Sequence, residues 1–591
     1  MEREKIAEKY KWDLSEYFKD LNEWENTFLF VKNNYKKVLE FENKLNNKKD
    51  ILLCLKNEQE VSSKMSLLYV YASLKVKENS TNAVHQNMLN KIEKLSVEIN
   101  EAYSFIDSEL NQLSDEFLKQ LSNDEDFKDY DLYFLDIIKF KKHMLSKNEE
   151  KLLAKTGLFS GQFSSIFDKI DTAEITFDDA VDSNGKKYQM NNSVYNRYSQ
   201  STDRKLRESS YKSMNGAYGK LNQTITEIYI GNVKADSFYS NVRRFSSPLE
   251  AAMFSEDVDI KVYNTVLKCV NDNLSVFHDY FDLKRRILKL DKIAVYDMRA
   301  PSCSSLEKNY TYEEATNIVF DALKVLKDDY VDILHRAVDE RWIDVFTNDG
   351  KDTGAFSWGA YGKHPVVLLN YESTLNDIFT LAHELGHSMH TYFSNKIQVE
   401  QKAGYEIFVA EVASTVNEML LLNYFLSKSE TKEEKLYYLD YLFKMFYSTI
   451  FRQTLFAEFE EYAHRAYESG EETTAKALND FYYNLNKRYF GENVELCEEI
   501  KYEWSRIPHF YSSFYVYKYA TGLISAFYIA NKIFEGDAEV LNGYRKFLTL
   551  GSSMDPVSLL KVAGVDLMQK NTFDYVFAEM SNLLKIYESL I

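Results

Sequence analysis

Proline is scarce in this chain, with 5 in 591 residues, and glycine is modest at 19. Few positions therefore break a helix, since proline removes a backbone donor and glycine costs chain entropy. Leu, Lys, Glu, Ala and Met recur in periodic runs, and the chain reads as mainly α-helical. Cysteine is rarer still. Cys54, Cys269, Cys303 and Cys497 are dispersed and form no CxxC pair. That argues against a disulfide framework and against thiolate-bound zinc, and it fits free thiols in a reducing compartment. No run of about 20 apolar residues occurs, so a membrane span is not expected. The opening MEREKIAEKYKWDL is charged and lacks the apolar stretch of a secretory signal. A cytoplasmic location is the simplest expectation. Positive charge is in deficit: 72 Lys and Arg face 91 Asp and Glu, a net charge of −19. Nucleic-acid binding needs a basic footprint, so it is not expected. The acidity could favour cationic ligands in a cleft, although solubility alone accounts for it.

The composition is 45% hydrophobic and 28% charged, an ordinary globular balance. So long a chain exceeds one small core, and two or more lobes are expected. Residues 1–110 read as long charged helices, and 110–144 resist assignment. Around 172–190, TAEITFDDAVDSNGKKYQM alternates about Asn184-Gly185, a hairpin signal. Helical periodicity resumes near Asp203. A boundary near 200 divides an N-terminal helical region, 1–200, from a remainder, 201–591. Between Asp349 and Tyr371 a glycine-rich loop ends in the β-prone Val366–Leu369. An extended peptide could pair with such a strand, or the strand could simply be part of a structural hairpin.

The segment TLNDIFTLAHELGHSMH follows. Thr374 can cap a helix and Asp377 can complete a capping box. Ile378, Leu381, Ala382, Leu385 and Met389 form one apolar face. His383 and His387 lie four apart on the neighbouring face, as two zinc ligands from one helix must. Glu384, next to the first histidine, is placed to take a proton from an attacking water. Gly386 costs about 1 kcal/mol relative to Ala inside a helix, and a second backbone or a substrate passing close by would explain it. A third ligand is still needed. On the next helix, GYEIFVAEVASTVNEMLLLNYFLSK, Glu411 is a carboxylate on an otherwise apolar element, and zinc would offset its burial. Glu418, two turns on, is a candidate to hold the outer N–H of a ligand histidine, or it is a solvated helix residue. His390 is offset in angle and reads as packing. The expectation is one Zn2+ per chain held by His383, His387 and Glu411.

HELGHSMH followed by FVAEVASTVNE resembles oligoendopeptidase F, of the thimet-oligopeptidase group of zinc peptidases. KYKWDLSEYF, SSPLEAAM, TGAFSWGAYGKHPVVLLNY and IPHFYSSFYVYKYATG extend the likeness over essentially the whole chain in the expected order. An N-terminal segment near 110–190 is part of it. The resemblance implies a mainly α, two-lobed helical ellipsoid with a deep substrate channel and a small β element beside the HExxH helix. It implies short unstructured peptides as substrates, with His383, His387 and Glu411 on zinc and Glu384 as the catalytic carboxylate. Phe356 and His364 stand where the family varies, and AGVDLMQKNTF lacks a proline expected there.

Hydrolysis of a peptide bond puts negative charge on the carbonyl oxygen, so preorganised donors are needed. The donor-dense run from His509 to Tyr519 can supply them. Tyr511, Tyr515 and Tyr519 recur every four residues and would share a helical face. The resemblance implies that His509 and Tyr519, with Tyr515 third, hold substrate and oxyanion. Tyr517 is a further candidate. With 44 tyrosines in the chain, packing is the competing account. Two other functions remain open. A metallocarboxypeptidase would use a basic residue such as Arg452 or Arg506 to bind a free carboxylate. A noncatalytic helical scaffold would have no use for Glu384. Side-chain specificity and oligomeric state are not encoded legibly.

Overall fold

Capping residues start the first long helices where periodicity predicts them. The computed structural model describes residues 2–303 and 308–591. Helices span Leu21–Asn34, Lys48–Glu78 and Ala83–Leu110, and Asp20, Asn47 and Asn82 each accept first-turn backbone N–H groups. The unassigned stretch holds two short helices, Asp115–Ser122 and Asp131–Phe140. The chain is 71% helical, so the expected mainly α class holds.

Strands are short. β1 (Ala180–Val181) and β2 (Lys187–Tyr188) pair antiparallel around Gly185, whose φ of 77° suits the turn. The hairpin is shorter than the alternation suggests. Residues Ile170–Glu174 form a π-turn that prolongs the helix Gln162–Lys169, so the first alternating residues are helical. β3 (Ile293–Ala294) lies parallel to β7 (Val494–Glu495). β4 (Ile343–Asp344), β5 (Phe356–Trp358) and β6 (Val366–Leu368) form a sheet of order β4-β6-β5.

The chain divides into two compact units of three segments each. Unit one is Met1–Lys142, Lys308–Leu421 and Ile529–Gly564. Unit two is His143–Glu307, Leu422–Tyr528 and Val565–Ile591. In unit one the first helices and the β4-β6-β5 sheet share a core: Trp12, Tyr17, Trp24 and Leu68 pack with Ala360, Val366 and Leu368. β5 and β6 also pack against the HExxH helix, so the small β element stands where it was expected. In unit two aromatic rings dominate, with Phe281 within 5.9 Å of Tyr447, Phe451 and Phe490. All four cysteines are free thiols. Among the described residues no helix is long and apolar enough to cross a membrane.

Candidate metal centre

The HExxH helix runs Leu375–Ile397, and its start is fixed by the Thr374–Asp377 capping box. Its face of Ile378, Leu381, Ala382, Leu385 and Met389 is fully buried. The next helix, Ile407–Lys428, crosses it at Gly386. A Cβ there would lie 2.5 Å from Ser414 Cα and 2.7 Å from Ala413 O. The glycine is therefore explained by a close backbone approach. Buried Asn417 fastens the crossing: its amide donates to Ala382 O at 3.1 Å, and its carbonyl oxygen accepts from Tyr330 Oη at 3.0 Å. This crossing sets Glu411 and Glu418 opposite the two histidines.

His383 Nε2 and His387 Nε2 are 3.2 Å apart. Glu411 Oε2 lies 3.3 Å from the first and 3.5 Å from the second. Three ligands about 2.0–2.1 Å from a tetrahedral zinc are separated by roughly 3.3 Å. The triangle thus has the size that such an ion requires. The three residues together form a group able to hold a metal ion. His383 Nδ1 lies 2.6 Å from Glu418 Oε1, which fixes the ring and turns Nε2 toward His387 and Glu411. Burial would lower the His383 pKa, but its bonds to Glu411 and Glu418 outweigh this and bring it to about 10. The same histidines hold the Glu411 carboxyl far below its ordinary range. Glu384 is buried, which raises its pKa, and its Oε2 has no hydrogen-bond partner among the described residues. A buried, unpartnered carboxylate beside the candidate ligands suits a general base. His390 is a packing residue, stacked on Tyr405 at 3.8 Å, and burial pushes its pKa down to about 3.

In unit two, the run expected to place Tyr511, Tyr515 and Tyr519 on one helical face is broken. Residues Pro508–Tyr511 make a 3-10 turn, Phe514 takes a left-handed φ of 58°, and a helix begins only at Tyr517. Tyr511 stacks on Phe167 at 4.7 Å with its hydroxyl buried, and Tyr517 is wholly buried. The turn nonetheless gathers the other three. Tyr519 Oη is 3.2 Å from His509 Nε2, and the Tyr515 ring lies 5.4 Å from Tyr519 and 6.1 Å from His509. Partial burial lowers the His509 pKa and favours the neutral ring.

Periodicity does not reveal what holds this turn. The Phe514 N–H donates to Glu460 Oε1 at 2.7 Å. Glu460 is fully buried, and burial raises its pKa to about 8. Asp236 accepts from Ser513 Oγ and from His464 Nε2. The helix Arg452–Glu468 also carries Glu458, Glu461 and Glu468, so nothing in the sequence singles Glu460 out. Arg452 and Arg506, candidates for binding a free carboxylate, are both committed to Glu503, at 3.1 and 3.4 Å. His364 stacks on Trp342 at 4.8 Å, and Phe356 is a β5 residue.

The sequence profile described as Peptidase family M3 matches residues 197–579, and that described as Oligopeptidase F matches 109–177. Oligopeptidase PepF of Bacillus subtilis is 35% identical over 96% of this chain and 85% of its own length. Group B oligopeptidase PepB of Streptococcus agalactiae is 34% identical, over 100% of this chain and 98% of its own. The crystal structure of oligoendopeptidase-F from Enterococcus faecium superimposes with a TM-score of 0.74 at 30% identity, covering 96% of this chain and 99% of that one.

Proposed function

Because the chain belongs to peptidase family M3, in its oligopeptidase F group, we propose that it is a zinc-dependent endopeptidase of short unstructured oligopeptides. The observation that carries this is the triangle of His383, His387 and Glu411, sized for one tetrahedral zinc, with the unpartnered Glu384 beside it. When bound, zinc polarises the scissile carbonyl and acidifies the attacking water. Glu384 takes the proton of that water and delivers it to the leaving amine. Glu418 keeps His383 in the tautomer that leaves Nε2 free for the ion. His509 and Tyr519, with Tyr515, donate to the carbonyl oxygen as charge builds on it. β5 has one strand neighbour, β6, and no second among the described residues. Ser357 on β5 bonds Ser388 of the HExxH helix at 2.8 Å, so this edge is held beside the centre. An extended peptide would pair along it.

In this reading residues 201–591 carry the catalytic groups and residues 1–200 the accessory helical region. The free thiols fit a cytoplasmic setting. The test is digestion of peptides blocked at both ends, of graded length, with zinc analysis of the same sample. Internal cuts in short peptides at one zinc per chain are expected. Cuts only at free C-termini would favour a carboxypeptidase, and equally rapid cleavage inside stable folded proteins would remove the size restriction.

A further inference from the structure

Four arginines from four elements of unit two converge on one small cavity. Arg207 belongs to the helix Arg204–Lys220, and Arg299 follows the 3-10 turn Val295–Asp297. Arg452 opens the helix Arg452–Glu468, and Arg506 ends the 3-10 segment Glu498–Arg506. All four line the cavity, together with Glu503 and Tyr195. Among the described residues the carboxylates do not balance them. Asp297 takes Arg207 at 2.7 Å but also Arg204 at 2.9 Å. Glu503 is shared between Arg452 and Arg506 and also accepts from Tyr482 Oη at 2.8 Å. Arg299, exposed at the rim, donates to Asn196 Oδ1 at 3.0 Å and has no carboxylate partner among the described residues. Four cations therefore line a wall that carries one carboxylate, with Asp297 behind it. The Nε atoms of Arg207 and Arg506 are buried without a partner among the described residues, and Arg207 is 3% exposed.

Buried like charges repel one another, and a donor without an acceptor keeps its desolvation cost. We propose that this cavity binds a single halide-sized anion, chloride under ordinary conditions, which accepts from the guanidinium groups and offsets their excess charge. The cavity measures about 30 Å3. A water needs roughly 10–15 Å3 by this measure, so one small ion fits and a phosphate ester or peptide does not. An open cavity of about 460 Å3 shares Met298, Arg299 and Tyr447 in its wall and also carries Asp440.

The experiment needs no peptidase assay, so it stands apart from the proposed activity. Melting is compared in sodium chloride and sodium gluconate at equal ionic strength, and crystals soaked in sodium bromide are examined for anomalous scattering. Chloride at about 200 mM should raise the melting temperature by about 2–4 °C over gluconate. Bromide should give a peak among Arg299, Arg452 and Arg506. Arg299→Gln should lose the chloride increment and keep the gluconate melting point, which separates a bound ion from a general salt effect. If that variant fails to fold, the bromide peak in the unaltered protein decides. Equal melting in both salts, or bromide density confined to the outer surface, would overturn the site and leave the cavity to water.

Discussion

Glu384 and Glu418 are both carboxylates beside His383, and their surroundings separate their tasks. Glu418 is spent on the His383 ring, whereas Glu384 Oε2 has no partner among the described residues. Glu384→Gln should therefore keep the metal and lose about 10²–10⁴-fold in kcat. Zinc analysis beside steady-state rates checks this, and a variant retaining half the native rate would remove Glu384 from the mechanism. Glu418→Ala should instead weaken zinc binding by about 10–100-fold, read by competition with a chelator, because the ring loses its anchor. The sequence made these residues legible because their signals are local. Histidines four apart share a helix face, Thr374 and Asp377 mark the helix start, and Glu411 interrupts an apolar helix. Glu460 is not legible in this way, because Glu458, Glu461 and Glu468 share its helix. Its partner, the Phe514 N–H, lies 54 residues away, and no spacing connects them.

Helix and turn geometry decide how these side chains meet. Gly386 was legible as a close approach, while the identity of the approaching backbone at Ala413 and Ser414 required the fold. Gly386→Ala gains about 1 kcal/mol of helix propensity. It also forces a methyl group onto a backbone atom 2.5 Å away, and overpacking costs about 1–3 kcal/mol. The net change in urea unfolding of metal-free protein should be destabilising, and zinc affinity should fall as the ligand helices separate. The tyrosine stripe fails for the opposite reason. Periodicity assumes a continuous helix, and the left-handed Phe514 interrupts it. Glu460 holds that residue and faces His464, Asp236 and Lys518. Its folded pKa of about 8 exceeds its ordinary 4.5, so the folded state keeps a proton that the unfolded state releases. This contribution to stability should decline as pH rises from about 4.5 to about 8 and level off above. Glu460→Gln should flatten that part of the pH–stability curve, as read by thermal melting across the range. An unchanged slope would mean that Glu460 is ionised in the folded protein.

At the scale of the whole chain, the residues proposed for catalysis all come from 201–591, yet unit one is not contiguous. Its first segment, Met1–Lys142, supplies most of the core that supports the β4-β6-β5 sheet. Trp12, Tyr17, Trp24 and Leu68 are each at most 5% exposed and pack with Val366 and Leu368. Tyr17 Oη also donates to His364 O at 2.7 Å, just before β6. β5 in turn is bonded to the HExxH helix through Ser357 and Ser388. Removing 1–200 would expose that face of the sheet, and each large apolar side chain uncovered forfeits about 1.5–3 kcal/mol. Losing several of these is comparable to the 5–15 kcal/mol by which a domain is typically stable. The fragment 201–591 should therefore keep all three ligand residues and still fail to retain one zinc per chain, with weak protection of the HExxH helix in hydrogen exchange. Supplying residues 1–200 as a separate chain should restore zinc and protection together, because the missing contribution is packing and not a ligand. A fragment 201–591 that holds zinc and protects His383–His387 as the full chain does would show that this sheet and helix stand without their N-terminal core.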